Sequence, residues 1–246
     1  MKKILKLLVL IVAFAACVSE NNPEKEKDPC SVLVDGVYQY PNKKPDAKLT
    51  QDEIKEYWDI PKDVLTCIGT KGLILSCYNS NANIIISASN GYQGGYGLVK
   101  YWCRGFDELE KREDFGEAFI QYYKSLELPH TIDYSLFTLE VAMSQENVLK
   151  RLTKEQQIKL LNLCLNYHLE RRAIFNTTEI HYEGTPVIMG RLMVADGMEQ
   201  FILSTKRNNG VFRFLDGTET YRLSIANADT IVNYAVLYLN KLKSTN

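Results

Sequence analysis

Four aromatic residues carry the densest local chemistry in this chain. Tyr92, Tyr96, Tyr101 and Trp102 are interleaved with Gly91, Gly94, Gly95 and Gly97. Rings that join apolar area to a polar handle suit stacking against a sugar or a peptide. Glycine frees the backbone between them. The stretch therefore reads as a glycine-rich loop that presents an aromatic ligand-binding platform. A phosphate cradle is the other chemistry such turns support, but no Lys-Ser/Thr follows at P-loop spacing.

The remaining reactive residue types form no local constellation. His130, His168 and His181 lack the i, i+4 spacing of a helical zinc site, and neither His168 with Glu170 nor His181 with Glu183 brings a third ligand. No metal and no cofactor are expected. Glu108, Glu110, Glu113 and Asp114 could do paired acid–base work. Their mixing with Arg104, Lys111 and Arg112 reads instead as a solvated, salt-bridged helix face. No GxSxG elbow or kinase motif occurs.

Cys17 aside, five cysteines are present: Cys30, Cys67, Cys77, Cys103 and Cys164. An odd number leaves at least one free thiol in a monomer. The last four sit in apolar, helical-looking stretches and read as buried thiols. If a disulfide forms, Cys30 in the lead-in to the domain is its expected member.

The elements that must position these residues are short helices. Thr50 and Glu53 form a capping box opening Gln51–Trp58. Pro61 suits the first turn of a helix running to about Ile68, and Thr70 caps another through Tyr78. Asp114 opens the cleanest amphipathic helix, with Phe115, Ala118, Phe119, Tyr122, Tyr123 and Leu126 on one face. Ile132–Met143 and Ile158–Phe175 are apolar on more than one face. The second of these, capped by Thr153, is expected to be the structural centre. Thr185-Pro186 opens Val187–Ala195, and Ala226-Asn227 opens the last helix. Asp216-Gly217 between Val211–Leu215 and Thr218–Leu223 is a strong hairpin signal, with a helix-loop-helix reading still open.

The expected fold class is all-α: an irregular, solenoid-like array of αα-hairpins with at most one short β-hairpin near the C-terminus. Residues 49–243 form its single helical domain. Residues 18–48 form a spacer and extended lead-in, because Val18–Pro29 is polar, charged and lacks core-forming residues.

Residues 1–17 have the layout of a secretory signal peptide. Lys2, Lys3 and Lys6 precede the apolar run Leu7–Phe14, and Ala15-Ala16 precede Cys17. The run is far short of the roughly 20 residues a membrane span needs. Phe14-Ala15-Ala16-Cys17 resembles a bacterial lipobox, with Phe14 where leucine is usual, so Cys17 is the expected lipidation site. The first 17 residues hold three of the 29 basic residues and none of the 30 acidic ones. The rest of the chain is therefore acidic, which argues against a nucleic-acid partner.

Ile60–Tyr78 (IPKDVLTCIGTKGLILSCY) and Arg104–Asp114 (RGFDELEKRED) resemble parts of uncharacterised helical lipoproteins of Bacteroidetes-type bacteria. The resemblance implies a helical fold and a cell-envelope location, as an outer-membrane lipoprotein, and carries no catalytic residue. Asp229-Thr230-Ile231 resembles the O-glycosylation pattern of exported proteins from such bacteria. The expected function is a lipid-anchored helical module that meets the membrane through its N-terminal lipid and binds a protein or glycan partner. The alternative is an envelope hydrolase acting on glycan or peptide.

Overall fold

A computed structural model describes residues 28–41, 48–127, 131–174, 179–218 and 222–244. Cys17 and the rest of the signal segment, His130 and Phe175 lie outside the described residues.

The lead-in begins with a 3-10 turn, Pro29–Val32, capped by the Asp28 carboxylate, which accepts from the Cys30 N–H at 2.9 Å. Strands β1 (Leu33–Val34) and β2 (Val37–Tyr38) pair antiparallel, Leu33 opposite Tyr38. Asp35 and Gly36 turn the chain between them with φ of 52° and 77°, the mirror-image turn that Asp-Gly favours. The hairpin lies on the domain: the Tyr38 N–H donates to Ser76 Oγ at 2.9 Å. A disulfide between Cys30 and Cys67 fastens it. Cys67 is thus bonded and exposed, which corrects its reading as a buried free thiol. Cys77, Cys103 and Cys164 are buried thiols.

Helices then follow with short connections: α1 (Gln51–Trp58), α2 (Lys62–Cys67) and α3 (Thr70–Tyr78). The Thr50–Glu53 capping box is formed. Gly69 is the N-cap of α3, and Thr70 is its first residue, with its hydroxyl donating to Asp114 Oδ1 at 2.7 Å. A 3-10 stretch, Asn81–Ala88, takes up the apolar Ile84–Ile86 run. Next come α4 (Tyr92–Trp102), α5 (Gly105–Lys111), α6 (Phe115–Lys124), α7 (Tyr134–Met143) and α8 (Glu146–Leu149). The chain continues with α9 (Lys154–Ile174), α10 (Thr185–Ala195), α11 (Glu199–Arg207), α12 (Asn209–Asp216) and α13 (Ile225–Ser244). The fold is all-α, with one further antiparallel pair near the C-terminus. Its strands are β3 (Glu179–His181) and β4 (Arg222–Ser224), with Ile180 opposite Leu223.

Two expectations shift. The centre is α7 together with α10, not α9. Every residue from Leu136 to Met143 is buried, as are most of α10 from Thr185 to Met193. Helix α9 buries one stripe, including Leu160, Leu161, Cys164 and His168, while Leu169 is 59% exposed. It packs on α6, α10 and α13 and is covered on one side only. Second, Val211–Leu215 is the body of α12 and not a strand. Gly217, at φ 72°, caps that helix in the left-handed region. Asp-Gly signals a positive φ in either setting. The arbiter is that Val211, Phe214 and Leu215 are buried at i, i+3, i+4 spacing.

Candidate functional site

The proposed aromatic platform does not form as a unit. Tyr92 and Tyr96 are fully buried, because Gly91–Gly97 is not a loop: Gly91 is the N-cap, and the rest are the first turns of α4. Tyr92, Tyr96, Val99 and Cys103 recur at helical spacing and face the core. The Tyr92 hydroxyl donates to Leu215 O and the Tyr96 hydroxyl to Glu110 Oε1, each at 2.8 Å. Burial raises both phenols above the ordinary tyrosine value.

Tyr101 and Trp102 do reach the surface region. Trp102 meets Tyr101 edge-on at 5.4 Å and Trp58 at 5.2 Å. Lys55 Nζ sits 4.5 Å above the Tyr101 ring, within cation–π range. Beside this row lies a shallow concavity of about 480 Å³ that includes Asp52, Lys55, Glu56 and Arg104. Its floor is ordered by Asp59, which accepts from Arg104 Nε at 2.6 Å and from the Arg104 and Ile60 backbone N–H groups.

A larger groove, of about 650 Å³, is built where α4, α8, α10, α11 and α12 meet. Leu149, Val194, Ile202, Phe212 and Leu215 supply an apolar stripe along it. Phe212 is 53% exposed and Val194 43%. The helix explains this: Val211, Phe214 and Leu215 dock α12 into the core, and Phe212, beside Leu215 at i, i+3 spacing, stands at the edge of that stripe and faces the groove. Asn208 caps that helix by accepting from the Gly210 and Val211 N–H groups.

A reciprocal amide pair also lines the groove. Gln93 Nε2 donates to Gln145 Oε1 at 3.0 Å, and Gln145 Nε2 returns a bond at 3.3 Å. Arg191 lines the groove as well. Its guanidinium donates to the carbonyls of Leu215 (3.0 Å) and Asp216 (3.2 Å) and lies 5.2 Å from the centre of the Tyr92 ring. Among the described residues neither Arg191 nor Lys206 has a carboxylate within 4.0 Å, whereas Lys150 pairs with Glu146. The groove thus has an apolar stripe and two cations without an anionic partner.

The carboxylate-rich stretch forms a salt-bridged helix face. Arg112 Nε holds Glu108 at 2.8 Å, and Lys100 holds Asp107 and Glu110 at 3.1 Å. Asp229 pairs with Arg172, and the Thr230 hydroxyl donates to its own helix at Ala226 O.

A second polar cluster is enclosed between α6, α7, α9 and α10. Glu140 accepts from the Tyr123 hydroxyl, from Arg171 at 2.9 Å and from the Gly184 N–H at 2.8 Å. Burial raises the Glu140 carboxyl, with Arg171, Tyr123 and Gly184 pulling the other way. Glu183 accepts from His168 Nδ1 at 2.7 Å and from the Thr185 hydroxyl. A carboxylate only accepts, so Nδ1 carries the proton. Among the described residues, the enclosed His168 Nε2 has no hydrogen-bond partner. Two carboxylates and a histidine therefore share the interior, yet none lines either concavity. Thr185 is part of this cluster and not a helix cap: Gly184 holds the N-cap position.

No protein-family model matches the chain, and neither a curated protein nor a solved structure is significantly similar to it.

Proposed function

We propose that the protein is a lipid-anchored, extracytoplasmic helical module whose groove binds a protein partner. The observation that carries the reading is the groove itself. It joins exposed Phe212 and Val194 to Arg191 and Lys206, two cations without carboxylate partners. An apolar stripe flanked by cations is the chemistry that receives an amphipathic, acidic segment. Its volume of about 650 Å³ falls in the range of ligand sites. The Cys30–Cys67 disulfide supports an extracytoplasmic location, since such bonds persist in oxidising compartments. No helix among the described residues is long and apolar enough to cross a membrane, so the reading places the anchor on Cys17. Twelve residues lie between Cys17 and Cys30, thirteen chain steps that limit the domain's reach from the bilayer to about 45 Å.

Site-specific photocrosslinking in envelope preparations tests this. A photoreactive residue at Phe212 should give a defined adduct, absent from the same probe at Glu170 on α9. Adding Arg191→Glu should abolish it. Equal labelling at both positions would sink the proposal. Mass spectrometry of the N-terminal peptide, wild type against Cys17→Ser, tests the anchor.

A glycan partner is favoured by one observation, the row of half-buried Trp58 and Trp102 and exposed Tyr101 near Asp52 and Glu56. Aromatic faces next to hydrogen-bonding carboxylates suit sugar rings. Tyr101→Ala should then weaken glycan retention on an affinity gel and leave the Phe212 adduct intact.

A further inference from the structure

Five cysteines follow Cys17, and the Cys30–Cys67 disulfide accounts for two. Cys164 stands apart on the buried stripe of α9. Cys77 and Cys103 stand together. Cys77 is the penultimate residue of α3 and Cys103 is the C-cap of α4. Both sulfurs lie within 3.5 Å of the point where a Cβ on Gly105 would stand, Cys77 Sγ at 2.8 Å and Cys103 Sγ at 3.5 Å. Gly105 is therefore the residue that lets the two thiols approach. The Tyr40 hydroxyl, carried by the lead-in, touches Cys103 Sγ at 3.6 Å and covers the pair.

We propose that Cys77 and Cys103 are a reactive thiol pair that closes a second disulfide by exchange with an external disulfide, joining the end of α3 to the end of α4. In the folded domain hydrogen bonding, first of all from the Cys77 thiol, lowers Cys103 against the effect of its burial, while burial pushes Cys77 up. The Tyr40 contact forms only once the lead-in has docked, so it does not set the order of attack. Thiolate is the nucleophilic form, and the exchange has the same overall balance whichever sulfur attacks first.

With Cys103 attacking first, the exchange balances in two steps. Cys103 loses its proton, and its thiolate attacks one sulfur of a donor disulfide. A mixed disulfide forms, and the first donor thiolate leaves. Cys77 loses its proton and attacks the Cys103 sulfur of the mixed disulfide, expelling the second donor thiolate. The protein loses two electrons and two protons; the donor disulfide is reduced to two thiols. Both sulfurs are fully enclosed, and Tyr40 covers Cys103, so a donor reaches the pair before the lead-in docks. Two disulfides then leave Cys164 as the single free thiol.

The full chain carrying Cys17→Ser, reduced and unfolded, is refolded with oxidised and reduced glutathione. It is then denatured in iodoacetamide and mapped by mass spectrometry without reduction. The expected result is one alkylated cysteine, Cys164, with a linked peptide joining Cys77 to Cys103. In Cys103→Ser, Cys77 should become alkylated or carry glutathione. Alkylation of both Cys77 and Cys103 in the parent chain overturns the proposal, whatever the state of Cys30 and Cys67. So does a linked peptide pairing either of them with another cysteine.

Discussion

The Glu140 cluster and the groove each gather charged and polar groups from several helices, and they treat those groups in opposite ways. Around Glu140, cation, phenol and backbone N–H converge on one carboxylate, and the side chains of Glu140, Arg171 and Tyr123 are withdrawn from solvent. In the groove, Arg191 is held by two backbone carbonyls, and among the described residues neither it nor Lys206 has a carboxylate within 4.0 Å, although Glu146 and Asp216 also line the groove. Buried charge must be paired, or it is costly. Charge at an open surface carries no such penalty and remains available to a partner. On the proposed function the first cluster serves stability and the second recognition, and substitutions in each should separate the two properties.

The largest effect is expected from Arg171→Met. It leaves the Glu140 carboxylate enclosed without its cation, and breaking a buried pair from one side costs about 3–5 kcal/mol. Chemical denaturation measures this. The loss should depend on pH with a definite sign. Without Arg171, burial raises Glu140 further. A carboxyl whose folded pKa is raised contributes its full stability below the unfolded value of about 4.3. That contribution is lost as pH rises through the folded value. The deficit of the variant should therefore grow from acid toward neutral pH. A pH-independent deficit would show that Glu140 does not depend on Arg171.

Gly184→Ala comes next. A Cβ there would stand 2.2 Å from Glu140 Cβ and 2.7 Å from its Oε2. Backbone and carboxylate approach this closely only because residue 184 has no side chain. Overpacking of this kind costs about 1–3 kcal/mol. The midpoint of unfolding should fall, and photocrosslinking at Phe212 should persist in the folded fraction. Loss of the adduct from fully folded protein would couple the two regions and end the separation.

How much of this was legible in the sequence differs between the regions for a physical reason. Helix ends with a local hydrogen-bond signature were readable: Thr50 with Glu53, and Thr153 with Gln156, each form the expected reciprocal bonds. Gly91–Gly97 misled, because glycine composition suggests a loop even where Tyr92, Tyr96 and Val99 keep helical spacing. That spacing was the available signal. The groove had none. Gln93, Gln145, Arg191, Lys206 and Phe212 come from separate parts of the chain, and only tertiary packing brings them to one surface. The Glu140 cluster was equally hidden, since a glutamate inside an apolar helix does not announce its cation 31 residues away.

Tyr92→Phe probes the seam between the regions, because Tyr92 is a core residue that supports the groove from behind. Its hydroxyl donates to Leu215 O, the same carbonyl that accepts from Arg191 Nε. Removing the hydroxyl deletes one buried hydrogen bond, worth about 1 kcal/mol, and leaves Leu215 O still partnered by Arg191. Denaturation should show that modest loss with little change at the groove.

Phe212→Ser should have the smallest effect on stability and the largest on binding. The ring is 53% exposed and stands at the edge of the buried stripe of Val211, Phe214 and Leu215 on α12. An exposed substitution away from caps and buried contacts usually moves stability by less than about 0.5 kcal/mol. Partner capture, read by a photoreactive group at Val194, should fall sharply, since a half-exposed aromatic in an apolar groove is the kind of anchor that dominates recognition. If Phe212→Ser instead unfolds the domain, the ring belongs to the core and the groove loses its claim as a recognition surface. If neither stability nor capture changes, the groove is a surface feature without a partner, and the Trp58–Trp102–Tyr101 row becomes the place to look.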